Sequence, residues 1–477
     1  MEISNGYILY FVSMRYFLLL LTCGYALTGN AQITGTWYAT LNAGGQQIPL
    51  NIELELEDEE YFGTLQSPTQ SPIKLSFSEV SVAGNDVAFT VSAADIRYTG
   101  RVVIDSIVGN FQQSTFSAPL TFYRTAPEGS GVDSAGEPTP RPQDPTDFPY
   151  RREAITFPGG DSSVTLAGEL TLPTDTPPKA MIVLVSGSGP QDRNQDLGPQ
   201  INHRLFLVLS DYLTRRGYGV LRYDDRGVGE STGDFGMATS ADFADDARGA
   251  VSYLQTHDDL KGIPVGMVGH SEGGMIAPMV AASGGLDFMI LLAAPGHSID
   301  SLMSDQRRQM SGGAIPYDTI HRAAYTYIKA HTDQDQQTFG RGLMDAMTSA
   351  EQSLVKDKSY TGPDADPVAG ELYGTYASPW MRYFIAYEPA EYLRQVTVPV
   401  LAINGTLDRQ VDVTNLDAIA EALDAAENND VTIVVAPGLN HLLQPATTGM
   451  PGEYGQIETT VDESVMETIV EWLDERY

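Results

Sequence analysis

Cysteine is almost missing: the 477-residue chain contains one, Cys23. A single cysteine so close to the N-terminus excludes a disulfide framework and a cysteine-ligated metal site, and leaves no thiol nucleophile in a chain from which that segment is removed. Basic residues are scarce as well, with 28 Lys and Arg against 62 Asp and Glu and a formal net charge of -34. Such a field repels phosphate backbones, so nucleic-acid binding is excluded as a function class. Long apolar runs are lacking beyond the N-terminal segment, so stable membrane insertion of the mature chain is not expected. The remaining composition, 42% hydrophobic and 19% charged, is that of a globular protein, and the length suits two or three domains.

The first 31 residues have the layout of an export signal. Arg15 precedes the apolar run 16–21, and small and polar residues lead to Ala31 before Gln32. Met14 is an alternative start. The protein is therefore expected to be exported, to the periplasm or the medium. Residues 33–125 alternate with period two: Ile48, Leu50, Ile52 and Leu54 share one face, with Asn51 and Glu53 on the other. Turn residues such as Gly84-Asn85-Asp86 separate the short runs, which predicts a small all-β barrel or sandwich. Residues 126–147, rich in Gly, Ser and Pro, read as a linker.

From residue 148 onward, apolar strand runs such as 181–185, 265–269 and 288–292 alternate with helical stretches. Strands without internal alternation are buried on both faces, as in a parallel sheet covered by helices. The expected class is thus α/β over 148–477, preceded by an all-β domain. Residues 298–392 interrupt the rhythm with helix-forming sequence and read as an inserted helical cap.

The chemistry begins at Gly269-His270-Ser271-Glu272-Gly273, fed by a strand and followed by a helix. A nucleophile elbow holds its serine on a strained turn that tolerates only small residues two positions to either side. A serine hydroxyl needs a base, and His441, in a loop after the strand-like run 431–435, is the candidate. Asp408, in the loop after the run 399–403, is the carboxylate expected to orient it, with Asp412 as competitor and helix cap. The order Ser271, Asp408, His441 is that of an α/β-hydrolase fold. Oxyanion donors are expected at the backbone N–H of Glu272 and at Ser188, with Gly189 as the alternative; Pro190 has no N–H to offer. In the cap, Trp380 and Phe384 are expected to anchor it to the core, and Tyr383 and Tyr387 on the neighbouring helical face are candidates to line the acyl pocket. The run 223–231, with Asp224, Asp225 and Arg226, is read as an ion-paired turn.

The segments 186–194 (SGSGPQDRN), 221–231, 269–274 (GHSEGG), 404–408 and 438–442 together resemble a bacterial branch of the α/β-hydrolase superfamily, the serine aminopeptidase S33-like hydrolases or carboxylesterases. Gly35-Thr36-Trp37, Gly63-Thr64-Leu65-Gln66-Ser67-Pro68 and Tyr98-Thr99-Gly100 resemble the β-domain that precedes such hydrolases in exported proteins. The resemblance implies a Ser271–His441–Asp408 triad, hydrolysis of a small-molecule carboxylic ester and no metal or organic cofactor. Two rival functions are a peptidase with the same triad and a non-catalytic binding protein, with a glycan or apolar ligand at the β-domain.

Overall fold

The computed structural model describes residues 33–43, 46–57, 60–68, 74–94, 96–103, 106–113, 116–125, 140–198, 201–311, 313, 317–356 and 368–477. The export segment with Cys23, and the stretch 126–139 of the expected linker, lie outside the described residues.

The N-terminal unit is one nine-stranded antiparallel sheet. Its strands are β1 (Gly35–Ala43), β2 (Gln46–Glu57), β3 (Glu60–Gln66), β4 (Leu75–Ser76), β5 (Glu79–Ala83), β6 (Asp86–Val91), β7 (Ile96–Val103), β8 (Ser106–Gln113) and β9 (Phe116–Tyr123), in the order β4-β3-β2-β1-β9-β8-β7-β6-β5. The two edge strands are consecutive in the chain, so Phe77 and Ser78 bridge the seam: Phe77 N–H donates to Gly63 O (2.8 Å) and Ser78 N–H to Thr90 O (2.9 Å). The sheet is thereby curled on itself. The period-two pattern explains its interior, where Trp37, Ile52, Phe89, Tyr98 and Phe122 are buried. The Tyr98 hydroxyl, sunk in that interior, donates to Ile107 O (2.9 Å) or Leu120 O (3.0 Å), the two acceptors within reach.

The second sheet has eight strands: β10 (Arg151–Pro158), β11 (Thr165–Leu172), β12 (Met181–Val185), β13 (Gly219–Tyr223), β14 (Val265–His270), β15 (Phe288–Leu292), β16 (Val400–Gly405) and β17 (Val431–Ala436). Their order is β10-β11-β13-β12-β14-β15-β16-β17, antiparallel as far as β11–β13 and parallel from there on. Every residue of β12, β13, β14, β15 and β16 is buried, which is why those strands lack polar alternation and β12 and β15 read as unbroken apolar runs. Helices cover both faces and form two cores. One contains α2 (Ser240–Thr256) and α3 (Gly273–Ala281); the other contains α1 (Leu205–Thr214) and α11 (Glu463–Asp474). Between β15 and β16 come α4 (Ile299–Met310), α5 (Asp318–Ala330), α6 (Gln336–Lys356), α7 (Val368–Ala377), α8 (Pro379–Ala386) and α9 (Pro389–Leu393), and α10 (Asn415–Asp424) follows β16.

The expected linker over 126–147 needs correcting at its C-terminal end, because residues 141–144 are built into the α/β unit. The Arg141 guanidinium donates to Ile201 O (2.7 Å) and Thr459 O (3.2 Å), and Gln143 bonds both ways with the 460–461 backbone. Asp144 and Arg204 form a buried ion pair. Proline-rich composition hid this arm, since a pairing with residues 60 to 318 positions away leaves no local trace.

Candidate active site

The elbow follows from its glycines. Ser271 has φ +55°, a left-handed conformation that is costly for a non-glycine residue. A Cβ on Gly269 would lie 2.1 Å from Gly273 O, and one on Gly273 would lie 2.1 Å from Val185 O. Only glycine fits at either position, so the strand can turn into α3 with Ser271 at its apex. The Ser271 N–H is held by Leu292 O (2.9 Å) and its carbonyl by Gly274 N–H (2.8 Å).

Asp408 and His441 come from the loops after β16 and β17. These loops pack back to back: a Cβ on Gly405 would lie 2.1 Å from Leu439 O, and Leu407 N–H donates to that carbonyl at 2.9 Å. The result is a 2.8 Å hydrogen bond between His441 Nδ1 and Asp408 Oδ2, both residues buried. The other carboxylate oxygen accepts from the N–H groups of Gln410 (2.8 Å) and Val411 (2.9 Å), which fixes the carboxylate plane. Asp412 does not contact His441. It accepts from Thr414 and Gln309 (3.1 Å), as a turn-capping residue does.

His270 buttresses His441. Its Nε2 lies 2.9 Å from His441 O and its Nδ1 lies 2.8 Å from Gln195 Nε2. Burial lowers the His270 pKa to about 3, so the ring is neutral and carries one proton. A carbonyl cannot donate, so that proton sits on Nε2, and Nδ1 accepts from the Gln195 amide. The motif shows His270 beside the serine but not this contact, and Gln195, with a left-handed φ of +55°, has no sequence signal.

The expected oxyanion loop lies beside the serine. A Cβ on Gly187 would lie 3.1 Å from Ser271 Cβ. Asp225 holds this loop, accepting from Ser186 Oγ (3.1 Å) and Gln191 N–H (3.0 Å), and burial raises its pKa well above the usual carboxylate range. Its neighbours form ion pairs: Asp224 with Arg193 (2.9 Å) and Asp246 with Arg226 (2.6 Å). The Glu272 side chain is buried under the same loop. Its Oε1 accepts from Ser240 Oγ (2.6 Å) and Trp380 Nε1 (2.8 Å), the Ser188 side chain also bonds it, and burial pushes its pKa up.

Ser271, His441, Ser188 and Glu272 line one cavity of about 440 Å³. Its cap-side wall is Leu302, Met303, Trp380, Met381 and Phe384. Phe384 and Trp380 pack against the core as expected, but the expected pocket role of Tyr383 and Tyr387 is corrected. Tyr383 and Tyr387 face a separate cavity of about 410 Å³, lined also by Thr239 and Tyr392. Tyr387 is buried, stacks on Tyr392 (centroids 5.2 Å apart) and donates to Met275 O at 3.0 Å. The two faces of α8 were separated correctly, but which one meets the cavity depends on how α8 docks, and helical periodicity carries no such information. Trp380 and Phe384, stacked at 4.7 Å, face the serine.

A family model described as "Alpha/beta hydrolase family" matches residues 182–448. Esterase EstD of Thermotoga maritima is 27% identical over 312 residues, which are 65% of this chain and 65% of EstD. The chain thus spans about 65% of the length of this curated relative. Among solved structures, the Pyrococcus furiosus esterase Pf2001 aligns at 15% identity over 69% of this chain and 93% of its own, with a TM-score of 0.43. A thermophilic esterase from Thermogutta terrifontis aligns at 20% identity over 68% of this chain and 98% of its own, with a TM-score of 0.38.

Proposed function

The chain belongs to the alpha/beta hydrolase family, and from that membership we propose that it hydrolyses carboxylic esters through an acyl-enzyme on Ser271. In this reading His441 Nε2 takes the Ser271 proton as Oγ attacks the ester carbonyl. Asp408 holds the Nδ1 proton and stabilises the imidazolium. The N–H groups of Glu272 and Ser188 meet the developing oxyanion. Collapse of the tetrahedral intermediate releases the alcohol, protonated by His441, and water activated by the same base then frees the acid.

The observation that carries the reading is the 2.8 Å contact of His441 Nδ1 with the doubly anchored Asp408, in the cavity that Ser271 also lines. The cavity also bears on substrate class. Its ionisable lining residues are His270, Glu272, His441 and Tyr454, and glutamines 191, 195, 306 and 410 supply much of its polarity. That lining suits an uncharged ester with a medium-sized apolar acyl group. It disfavours the aminopeptidase alternative, because the one carboxylate in it, Glu272, already accepts three hydrogen bonds and is not free for a substrate ammonium. Membership of the S33-like branch rests on the sequence motifs, and export on the N-terminal segment.

The test is a fluorophosphonate label with parallel rates on p-nitrophenyl esters and aminoacyl anilides. Wild type is expected to label and to prefer esters. Ser271→Ala is expected to do neither, with turnover down by about 10⁴-fold or more. A Ser271→Ala protein that still turns over esters sinks the mechanism, and preference for the anilides moves the function to the peptidase.

A further inference from the structure

Glu272 has two parts with different situations. In the proposed mechanism its N–H donates to the oxyanion, while its carboxylate sits buried with no Lys or Arg paired to it among the described residues. A negative charge beside a developing oxyanion opposes the reaction electrostatically. The carboxylate is therefore badly placed to assist an oxyanion, and its bonding pattern points to another role. The three donors on it come from three parts of the fold. Ser240 opens α2, locked there by the Thr239–Asp242 capping box. Ser188 belongs to the loop beside the nucleophile. Trp380 belongs to the cap. Among the described residues, Trp380 is the one residue of the cap-side wall hydrogen-bonded to the elbow itself, and it carries Phe384 with it by stacking.

We propose that the Glu272 carboxylate is a positioning and specificity residue: it pins the Trp380–Phe384 wall of the cap and the Ser188 loop to the nucleophile elbow, and so sets the length of acyl group the cavity accepts. The inference rests on the esterase reading for its substrate and on hydrogen-bond geometry for its mechanism. Because Ser240 and Trp380 both donate to Oε1, glutamine in place of Glu272 keeps an acceptor for each, and its amide can donate to the Ser188 hydroxyl. Alanine keeps none of them.

The experiment compares kcat/KM on acetyl, butyryl and octanoyl p-nitrophenyl esters for wild type, Glu272→Ala, Glu272→Gln, Trp380→Phe and the Glu272→Ala/Trp380→Phe double variant, with indole emission read in parallel. Glu272→Ala and Trp380→Phe are each expected to shift the octanoyl-to-acetyl ratio by about fivefold or more. The double variant is expected to add nothing further, and Glu272→Gln to retain the wild-type ratio. Trp380 emission is expected to change in Glu272→Ala and not in Glu272→Gln. An unchanged ratio in Trp380→Phe, additive shifts in the double variant, or a Glu272→Gln ratio like that of alanine overturns the proposal. If Glu272→Ala does not fold, Trp380→Phe and Glu272→Gln decide it. If wild type hydrolyses none of the esters, the esterase reading fails, and emission still tests the pin.

Discussion

Asp408→Asn separates geometry from charge at the triad. Asp408 Oδ1 accepts two backbone N–H groups, from Gln410 at 2.8 Å and Val411 at 2.9 Å. Turning an asparagine amide toward them would set two donors against two donors, so its carbonyl oxygen must occupy the Oδ1 position. The amide nitrogen is then forced onto the Oδ2 position, facing His441 Nδ1. That nitrogen donates, so Nδ1 must accept, and the ring proton moves to Nε2. The base then points a proton at Ser271 where it needs a lone pair. The expected loss in kcat is about 10⁴-fold, or about 5.5 kcal/mol in the barrier, with the fold intact because every backbone bond survives. Asp412→Asn keeps the oxygen that caps Thr414 and is expected to stay within about threefold of wild type. The assay is kcat on p-nitrophenyl butyrate, with circular dichroism to confirm folding. Asp408→Asn retaining more than about a tenth of wild-type turnover would refute the tautomer argument, and a larger loss in Asp412→Asn would move the acid.

Gly269→Ala places a Cβ 2.1 Å from Gly273 O and is expected to yield insoluble or inactive protein; a soluble variant with wild-type rates would contradict the elbow's steric account. Phe384→Ala opens the acyl wall and is expected to raise the octanoyl-to-acetyl ratio at a cost of about 3 kcal/mol in stability, whereas Tyr387→Phe, losing the bond to Met275 O, should cost about 1 kcal/mol and leave the ratio alone; urea unfolding and the ester panel check both. The fragment 140–477 is expected to fold, and 148–477 to be less stable by about 3 kcal/mol because Arg204 loses Asp144, which parallel denaturant melts would show. His203, buried and donating toward Thr460 O, has its pKa lowered to about 3. The unfolded chain takes up this proton below about pH 6.5 and the folded protein does not, so His203's contribution to stability is complete above that pH and is lost as pH falls. Relative to His203→Gln, wild type is expected to lose about 2 kcal/mol between pH 7 and pH 5, and equal slopes for the two proteins would contradict the shift.

What the sequence made legible was whatever local pattern encodes. Strands such as β12 and β15 are buried on both faces and read as unbroken apolar runs. The all-β unit was legible from its alternation, but not its closure, because the seam depends on Phe77 and Ser78 reaching opposite edges of one sheet. Ser271, Asp408 and His441 could be nominated because each follows a recognisable strand. Features that depend on docking were hidden. The orientation of α8 decides that Trp380 faces the serine while Tyr387 faces away. The arm at residues 141–144 and the Gln195–His270 contact join segments far apart in the chain, and glutamine and proline residues announce no partner.

In the proposed mechanism, the bond from His270 to the carbonyl of His441 couples two groups that must stay in register. The residue before the nucleophile carries the loop that bears the base, so a displacement of the elbow drags the imidazole with it. A library that varies position 270 would accordingly register as a failure of proton transfer, with the serine itself still in place. Position 195 would follow the same pattern one step removed, since its amide donates to the His270 ring nitrogen that the His441 carbonyl leaves unprotonated. Redesign of the acyl cavity is therefore best confined to the cap, where side chains can change without disturbing this linkage.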